Sequence, residues 1–388
     1  MLNKLHLCKV RILILIILLV FVSCNSGTGK KKKTPQKEIA PKELKQDKFH
    51  VHTSALSKSI IYKVDTFFHN RSWDNLSGAF LFSKGDKVYS NAFGKAGFLN
   101  GKDVKKEDVF QLASVSKFIT SLCILRLVED GKLKLTDTIE NILPDFAYKN
   151  ITIHHLLTHS SGLPEYIYFT DTGWSGDTDT KKNIDAYQVL NNCNEPAYFK
   201  PGERFNYKNS NYMLLAYISE LKIGMPFSQV VAKYIKEPLG LDSLHVYDME
   251  NRKLGDYSIW GMRGDHSYIP DNPLNNINGD KGIYTNVFEL FKIYKALRAN
   301  KLINEKSKEL LFTPHMQVKK VNPQFYGYGI RKTKLSNGET WYFHNGWWHG
   351  FRSYFWFNPD QDKSVILFTN RLKGGFLNTG EMIDLLKD

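Results

Sequence analysis

The chain has 388 residues, of which 42% are hydrophobic, 24% charged and 13% aromatic, and it holds four Cys. That length supports one large domain or two intimate ones with ample core, and the composition excludes a disordered or collagen-like chain, a disulfide-built scaffold and a Cys-rich zinc cluster. The net charge of +14 comes largely from the N-terminal end: residues 1–23 carry Lys4, Lys9 and Arg11 and no acid, residues 24–60 carry nine Lys against three acids, and residues 61–388 keep only +5. No basic block interleaved with aromatics remains on the folding part, so nucleic acid is not an expected partner.

The first segment in chain order reads as an address. Lys4, Lys9 and Arg11 precede an unbroken apolar run, Ile12 to Val22. Its 11 residues fall short of the roughly 20 that a spanning helix needs and match the apolar stretch of a secretory signal. The run ends in Phe21-Val22-Ser23-Cys24. This resembles a bacterial lipoprotein signal, with Phe21 where Leu is usual. The resemblance implies a signal peptide over residues 1–23, a lipid on Cys24 that anchors the protein to a membrane, and a place in the bacterial cell envelope on the periplasmic or cell-surface side. The alternative is a plain signal or short anchor with an incidental Cys. Residues 24–54 are polar, include Lys30 to Lys33 and show no apolar face, so they form a flexible tether. Its lysines either favour anionic headgroups or serve as a solvated spacer.

The folding part begins at about residue 55. Ala55 to Phe68 has helical periodicity, and Gly78 to Ser83 and Lys87 to Phe93 read as two strands around a Lys84-Gly85-Asp86 turn. After a short apolar approach at Val109 to Ala113, Ser116 to Glu129 repeats apolar residues at spacings of three and four and stops at Asp130-Gly131, a well-marked helix. A helix starts again at Ile151, and Tyr166 to Asn192 gives no clear element. Tyr212 to Leu221, Pro226 to Ile235 and Phe288 to Ala299 are helical, and Trp341 to Phe343, Ser353 to Phe357 and Ser364 to Phe368 are β-rich. A helical tail, Thr379 to Leu386, closes the chain. Strands at both ends with helices between predict an α/β (α+β) fold. One antiparallel sheet is built from both chain ends and flanked by helices, with an all-helical region inserted at about 150–285. Cys123 lies on a helical apolar stripe as a free thiol, and spacing does not decide whether it pairs with Cys193.

Chemistry concentrates where the apolar approach meets the long helix, at Ser114-Val115-Ser116-Lys117. Ser and Lys three apart share one face at a helix start. A serine hydroxyl becomes a nucleophile when a neighbouring base takes its proton, and a desolvated lysine can be that base. The free N–H groups of a first helical turn add donors for a developing oxyanion. Alone, the pair is a weak signal, since chance matches are frequent and a serine that merely caps the helix explains it better.

Its company decides. Phe110-Gln111-Leu112-Ala113-Ser114-Val115-Ser116-Lys117, then Tyr207-Lys208-Asn209, then His344-Asn345-Gly346 follow in order. They resemble the three motifs of the serine β-lactamase and penicillin-binding-protein superfamily, in its class C β-lactamase, DD-peptidase and esterase branch. The stretch Ile151 to Pro164, Glu237-Pro238-Leu239-Gly240-Leu241 and Gly282-Ile283-Tyr284-Thr285 resemble further landmarks of that branch, and the likeness runs over about residues 55 to 388. It implies the β-lactamase/transpeptidase-like fold and an acyl-enzyme mechanism with no metal or organic cofactor. Ser114 would be acylated, Lys117 and Tyr207 would move its proton, and Asn209 would orient Lys117 and a substrate amide. His344, Asn345 and Gly346 would flank the cleft, and the N–H of Trp347 would join that of Ser114 around the oxyanion.

One departure bears on substrate. Many β-lactamases carry Lys where this chain has His344, and an imidazole holds a carboxylate less firmly than a permanent ammonium. Arg352 is either a substitute cation or a solvated edge-strand residue. Trp347 and Trp348 are either an apolar wall of the site or core. His154, His155 and His159 lack the intervening Glu of a zinc-protease helix and read as structural. The expected substrate is a small peptide of the D-alanyl-D-alanine type, as for a DD-carboxypeptidase. An ester or a β-lactam comes next, and a non-catalytic binding or regulatory protein of the same fold is the rival from another class.

Overall fold

The computed structural model describes residues 49–69, 76–97, 101–170, 181–248, 259–265, 267–371 and 377–387. The signal peptide, Cys24 and the tether up to residue 48 lie outside the described residues.

The first elements among the described residues are β1 (Ser54–Ala55), α1 (Lys58–His69), β2 (Gly78–Lys84) and β3 (Lys87–Phe93). A short β4 (Phe110–Gln111) leads through a tight 3₁₀ turn, Ala113–Val115, into α2 (Ser116–Glu129). Helices α3 (Ile153–Leu157), α4 (Asn183–Asn192), α5 (Asn209–Ile223) and α6 (Phe227–Val231) follow, the last continuing through a π turn at Ala232–Lys236. Then come β5 (His245–Val246), β6 (Ile283–Thr285), α7 (Val287–Arg298) and α8 (Glu305–Phe312). The chain ends with β7 (Met316–Lys319), β8 (Gln324–Tyr326), β9 (Arg331–Lys334), β10 (Thr340–Trp348), β11 (Phe351–Asn358), β12 (Lys363–Thr369) and α9 (Thr379–Asp384).

Among the described residues, nine strands form one sheet in the order β1-β3-β2-β12-β11-β10-β9-β8-β7, antiparallel throughout except where β1 joins β3. The seam between the two ends of the chain is β2 on β12, in register from Gly78↔Thr369 to Lys84↔Lys363. The alternation of each central strand supplies two apolar faces. One face, with Phe80, Phe82, Trp341, Tyr354 and Trp356, packs on Ile60, Val64 and Phe68 of α1 and on Met382 and Ile383 of α9. The other presents Phe355 and Phe357 to Phe118 of α2 and Tyr294 of α7, with ring centroids 5.2 Å and 5.0 Å apart. Each such side chain, taken out of water, contributes about 1.5–3 kcal/mol.

The helical region lies between these ends, and two short strands interrupt it. β5 and β4 both pair with β6 in a separate three-stranded sheet. The sequence reading did not foresee β1, β7, β8, β9 or α8, and α4 falls in the stretch read as having no clear element. Helix α2 is buried on almost every side, from Ser116 to Leu125 without a break, as befits a helix apolar around its whole circumference.

Candidate active site

The nucleophile candidate sits on a bend. Ala113 is held at φ 47°, a left-handed conformation that costs an alanine roughly 1 kcal/mol or more. The bend turns the chain from β4 into α2 and leaves Ser114 half-buried at the junction. The small sheet braces it: the N–H of Leu112 donates to Ile283 O at 2.8 Å, and the N–H of Ile283 donates to Ser116 Oγ at 3.2 Å.

One helical turn on, Lys117 is completely buried. Its Nζ lies 3.1 Å from Ser114 Oγ, 2.9 Å from Asn209 Oδ1 and 2.7 Å from the carbonyl oxygen of Asp280. Three acceptors match the three N–H bonds of an ammonium. In the neutral amine the bond to Ser114 reverses, with the serine hydroxyl as donor. The Asp280 carbonyl is placed by the residues before β6. The backbone at Gly279 (φ 96°) runs so close to α5 that a Cβ there would strike Tyr212 and Ala216, and Thr120 Oγ1 of α2 donates to the Gly279 carbonyl at 2.8 Å. Asp280 and Lys281 form a buried ion pair, and Lys281 Nζ also donates to Tyr166 Oη at 2.7 Å.

Asn209 is the first residue of α5, and its N–H donates to Glu165 Oε2 at 2.8 Å. A carboxylate at a helix N-terminus is favourably placed, yet burial pushes the Glu165 carboxyl up to about 6. Tyr207 precedes the helix. Its ring centroid is 5.0 Å from Lys117 Nζ, 4.3 Å from that of His159 and 6.1 Å from that of His344. The structure thus gathers Ser114, Lys117, Tyr207, Asn209 and His344 from three separate segments.

Strand β10 closes the site. A Cβ on Gly346 would fall 2.8 Å from Ser114 N and 2.5 Å from Leu112 O, and would also strike Ser353 Oγ, so only glycine permits this approach of strand to nucleophile. His344 lies on the same face, nearly fully buried. Its Nδ1 is 2.8 Å from the carbonyl oxygen of Asn345, which can only accept, so Nδ1 carries the proton and Nε2 accepts from Tyr326 Oη at 3.1 Å. Burial, with the charges of Arg331 and Lys117, holds the imidazole well below its usual range. His344 is therefore neutral and offers no cation to a carboxylate.

Two expectations are corrected by the alternation of the sheet. Asn345 points to the opposite face, where its Oδ1 accepts from Trp356 Nε1 at 2.8 Å, so only its backbone can reach a substrate. Arg352 pairs across from Trp347 and shares the parity of Tyr354 and Trp356, which pack against α1 and α9, so it too turns away from Ser114. The tryptophans divide. Trp348 lies on the face of His344 and Gly346, donates from Nε1 to Asn275 Oδ1 at 2.6 Å and stands 4.8 Å from Lys281 Nζ, whereas Trp347 is 54% exposed at the end of the strand.

The sequence reading missed Arg331. Its guanidinium carbon is 5.7 Å, 5.5 Å and 5.8 Å from the ring centroids of Tyr207, Tyr326 and Phe205, which makes it a fixed cation beside the site. The remaining histidines do separate structural jobs. Thr152 and His155 cap α3 reciprocally, and His154 bonds Tyr328 Oη at 2.8 Å. Among the described residues, no three His, Cys, Asp or Glu side chains converge as a metal site. Cys123 and Cys193 are free thiols, the first buried.

Comparison with known proteins places this geometry. The family model described as Beta-lactamase matches residues 71–385. The chain belongs to the Beta-lactamase family. It is a serine hydrolase of the β-lactamase and penicillin-binding-protein type, with the mixed α/β fold of that family. It is similar to penicillin-binding protein 4* of Bacillus subtilis, 30% identical over 74% of this chain and 66% of the relative, so the match spans about two thirds of that protein's length. Among solved structures it is similar to a penicillin-binding protein from Bacillus halodurans (25% identity, TM-score 0.69, 82% of this chain and 96% of that one). It is also similar to an octameric penicillin-binding protein homologue from Pyrococcus abyssi (26% identity, TM-score 0.72, 84% and 76%).

Proposed function

We propose that this family member is an acyl-enzyme hydrolase of D-alanyl-D-alanine-type peptides, acting as a DD-carboxypeptidase does. The observation that carries this reading is the contact of Lys117 with Ser114 and Asn209 beside the Tyr207 ring, with Arg331 against the same ring. Ser114 Oγ attacks the peptide carbonyl carbon as its proton passes to Lys117 or Tyr207, and the N–H groups of Ser114 and Trp347 receive the oxyanion. When the C–N bond breaks, the same groups return the proton to the departing amine. Water then cleaves the Ser114 ester, releases the acid and restores the hydroxyl. A binder of the same fold has no use for a buried lysine spent on the nucleophile.

Arg331 favours a peptide over an ester. The departing group of a carboxypeptidase carries a permanent carboxylate, and a guanidinium suits it in geometry and charge, while His344 is neutral. The relative's name, penicillin-binding protein, supports β-lactams as ligands that acylate the same serine. A panel of a D-Ala-D-Ala peptide, a short neutral ester and nitrocefin tests the reading. Turnover of the peptide lost in Ser114→Ala supports it. Arg331→Gln is expected to raise KM for the peptide about tenfold or more, the worth of one charged hydrogen bond, with a much smaller loss on the ester. Equal losses on both would remove Arg331 from substrate recognition, and a panel in which only the ester turns over would make the protein an esterase.

We also propose that the protein is held in the bacterial envelope by lipid on Cys24, within reach of cell-wall peptides. The apolar run ending in Ser23-Cys24 and the lysine-rich residues after it support this placement.

A further inference from the structure

We infer that His159 is a positioning residue that fixes Tyr207 over Lys117, by gripping the chain on both sides of the tyrosine and backing its ring. The inference rests on the reading of Tyr207 as a proton-transfer group and adds the device that holds it there.

Tyr207 belongs to no helix or strand; it lies in the loop that enters α5. A phenol that must meet one hydroxyl and one amine needs its main chain fixed from outside. His159 does this from the end of the α3 turn. The N–H of Asn206, one residue before the tyrosine, donates to the His159 carbonyl at 2.8 Å. The N–H of Lys208, one residue after it, donates to His159 Nδ1 at 3.2 Å. The same Nδ1 lies 2.9 Å from Asn211 Nδ2 on α5. Between the two attachments the imidazole lies against the Tyr207 ring, with centroids 4.3 Å apart and planes at 35°. One histidine therefore holds the main chain on both sides of Tyr207 and backs its ring.

The residue type fits the task. Nδ1 faces two N–H donors, so it must be unprotonated, and the ring carries its proton on Nε2. Complete burial, with the charges of Lys117 and Arg331 nearby, holds the imidazole well below its usual range, which favours the neutral ring that Nδ1 needs in order to accept. The backbone of His159 is at φ 55°, a left-handed conformation that histidine and asparagine adopt more readily than most residues. The strained turn aims the carbonyl at Asn206 and the ring at Tyr207 together.

The test measures the rate at which a fluorophosphonate labels Ser114 in the full-length protein. Tyr207→Phe sets the reference loss. His159→Phe keeps a flat ring and deletes the acceptor, and about a 100-fold loss is expected, as for a reacting group displaced by about an ångström. His159→Asn restores an acceptor near the position of Nδ1 and tolerates the positive φ, so it should recover most of that rate; it also keeps the test open if the phenylalanine variant folds poorly. The deciding readout is the double variant. In a Tyr207→Phe background, His159→Phe should cost little more, because the group it positions is already gone. If the two losses multiply, His159 is ordinary scaffold and the inference fails while the hydrolase reading stands. If both His159 variants label at the wild-type rate, it fails outright. If Tyr207→Phe itself labels normally, the role of Tyr207 in proton transfer falls, and this inference with it.

Discussion

At the scale of single residues, the site depends on close approach more than on reactive groups. Gly346 shows this most directly. Replacing its hydrogen by a methyl group places carbon against two backbone atoms, Leu112 O and Ser114 N, which cannot rotate aside as a side chain would. Gly346→Ala is expected to destabilise the fold by about 1–3 kcal/mol, the usual cost of overpacking. It should also slow labelling of Ser114 by more than the stability change explains, because β10 must retreat from the nucleophile. A variant that melts lower yet labels at the wild-type rate would show that the approach serves packing alone. Residue-scale reading of the sequence was good at the motifs and poor at orientation. The period-two alternation of a strand already puts Asn345 opposite to His344 and Gly346, so its correction was available from the sequence. Arg331 was not: it opens a four-residue strand, Arg-Lys-Thr-Lys, with no apolar alternation to reveal it.

Among the elements, α5 carries one end of the catalytic apparatus and a titratable fastening at its other end. Glu220 accepts from the N–H of Phe227 at the start of α6 at 2.9 Å and faces Asn183 of α4 at 3.5 Å. Burial raises its carboxyl to about 7, so the folded protein binds a proton there that the unfolded chain has released above its ordinary value near 4.5. The stability this contributes is complete below about pH 4.5 and is lost as pH rises through about 7, a penalty on the order of 3 kcal/mol for the ionised group. Glu220→Gln keeps an acceptor for Phe227 without the charge. Its melting temperature should match that of the wild type near pH 4 and exceed it above pH 7. Parallel pH profiles for the two proteins would rule out this assignment. The bounds of α2 were legible in the sequence, because its apolar residues recur at helical spacing up to a plain stop at Asp130-Gly131. The strands β7 to β9 were not, because they are short, half-polar and stabilised by neighbours rather than by their own pattern.

For the whole molecule, the expectation of a sheet drawn from both chain ends is met by the β2–β12 seam. That much followed from the order of elements alone, whereas the strand order and the small three-stranded sheet depend on contacts far apart in sequence. Placement in the cell is a property of the entire chain and is tested at this scale. Cys24→Ser is expected to move the protein from the membrane fraction to the soluble one without altering the rate of Ser114 labelling. Continued sedimentation with membranes would show that some other part of the chain holds it there.

The start and finish of the folding part share one layer of the structure: Ile60 and Val64 pack with Met382 and Ile383, and Lys63 Nζ donates to the carbonyl oxygen of Lys387 at 3.0 Å. Ser114 lies across the sheet from that layer. α1 and α9 thus brace each other on the side of the sheet away from Ser114, so loosening either helix reaches the cleft only through the strands.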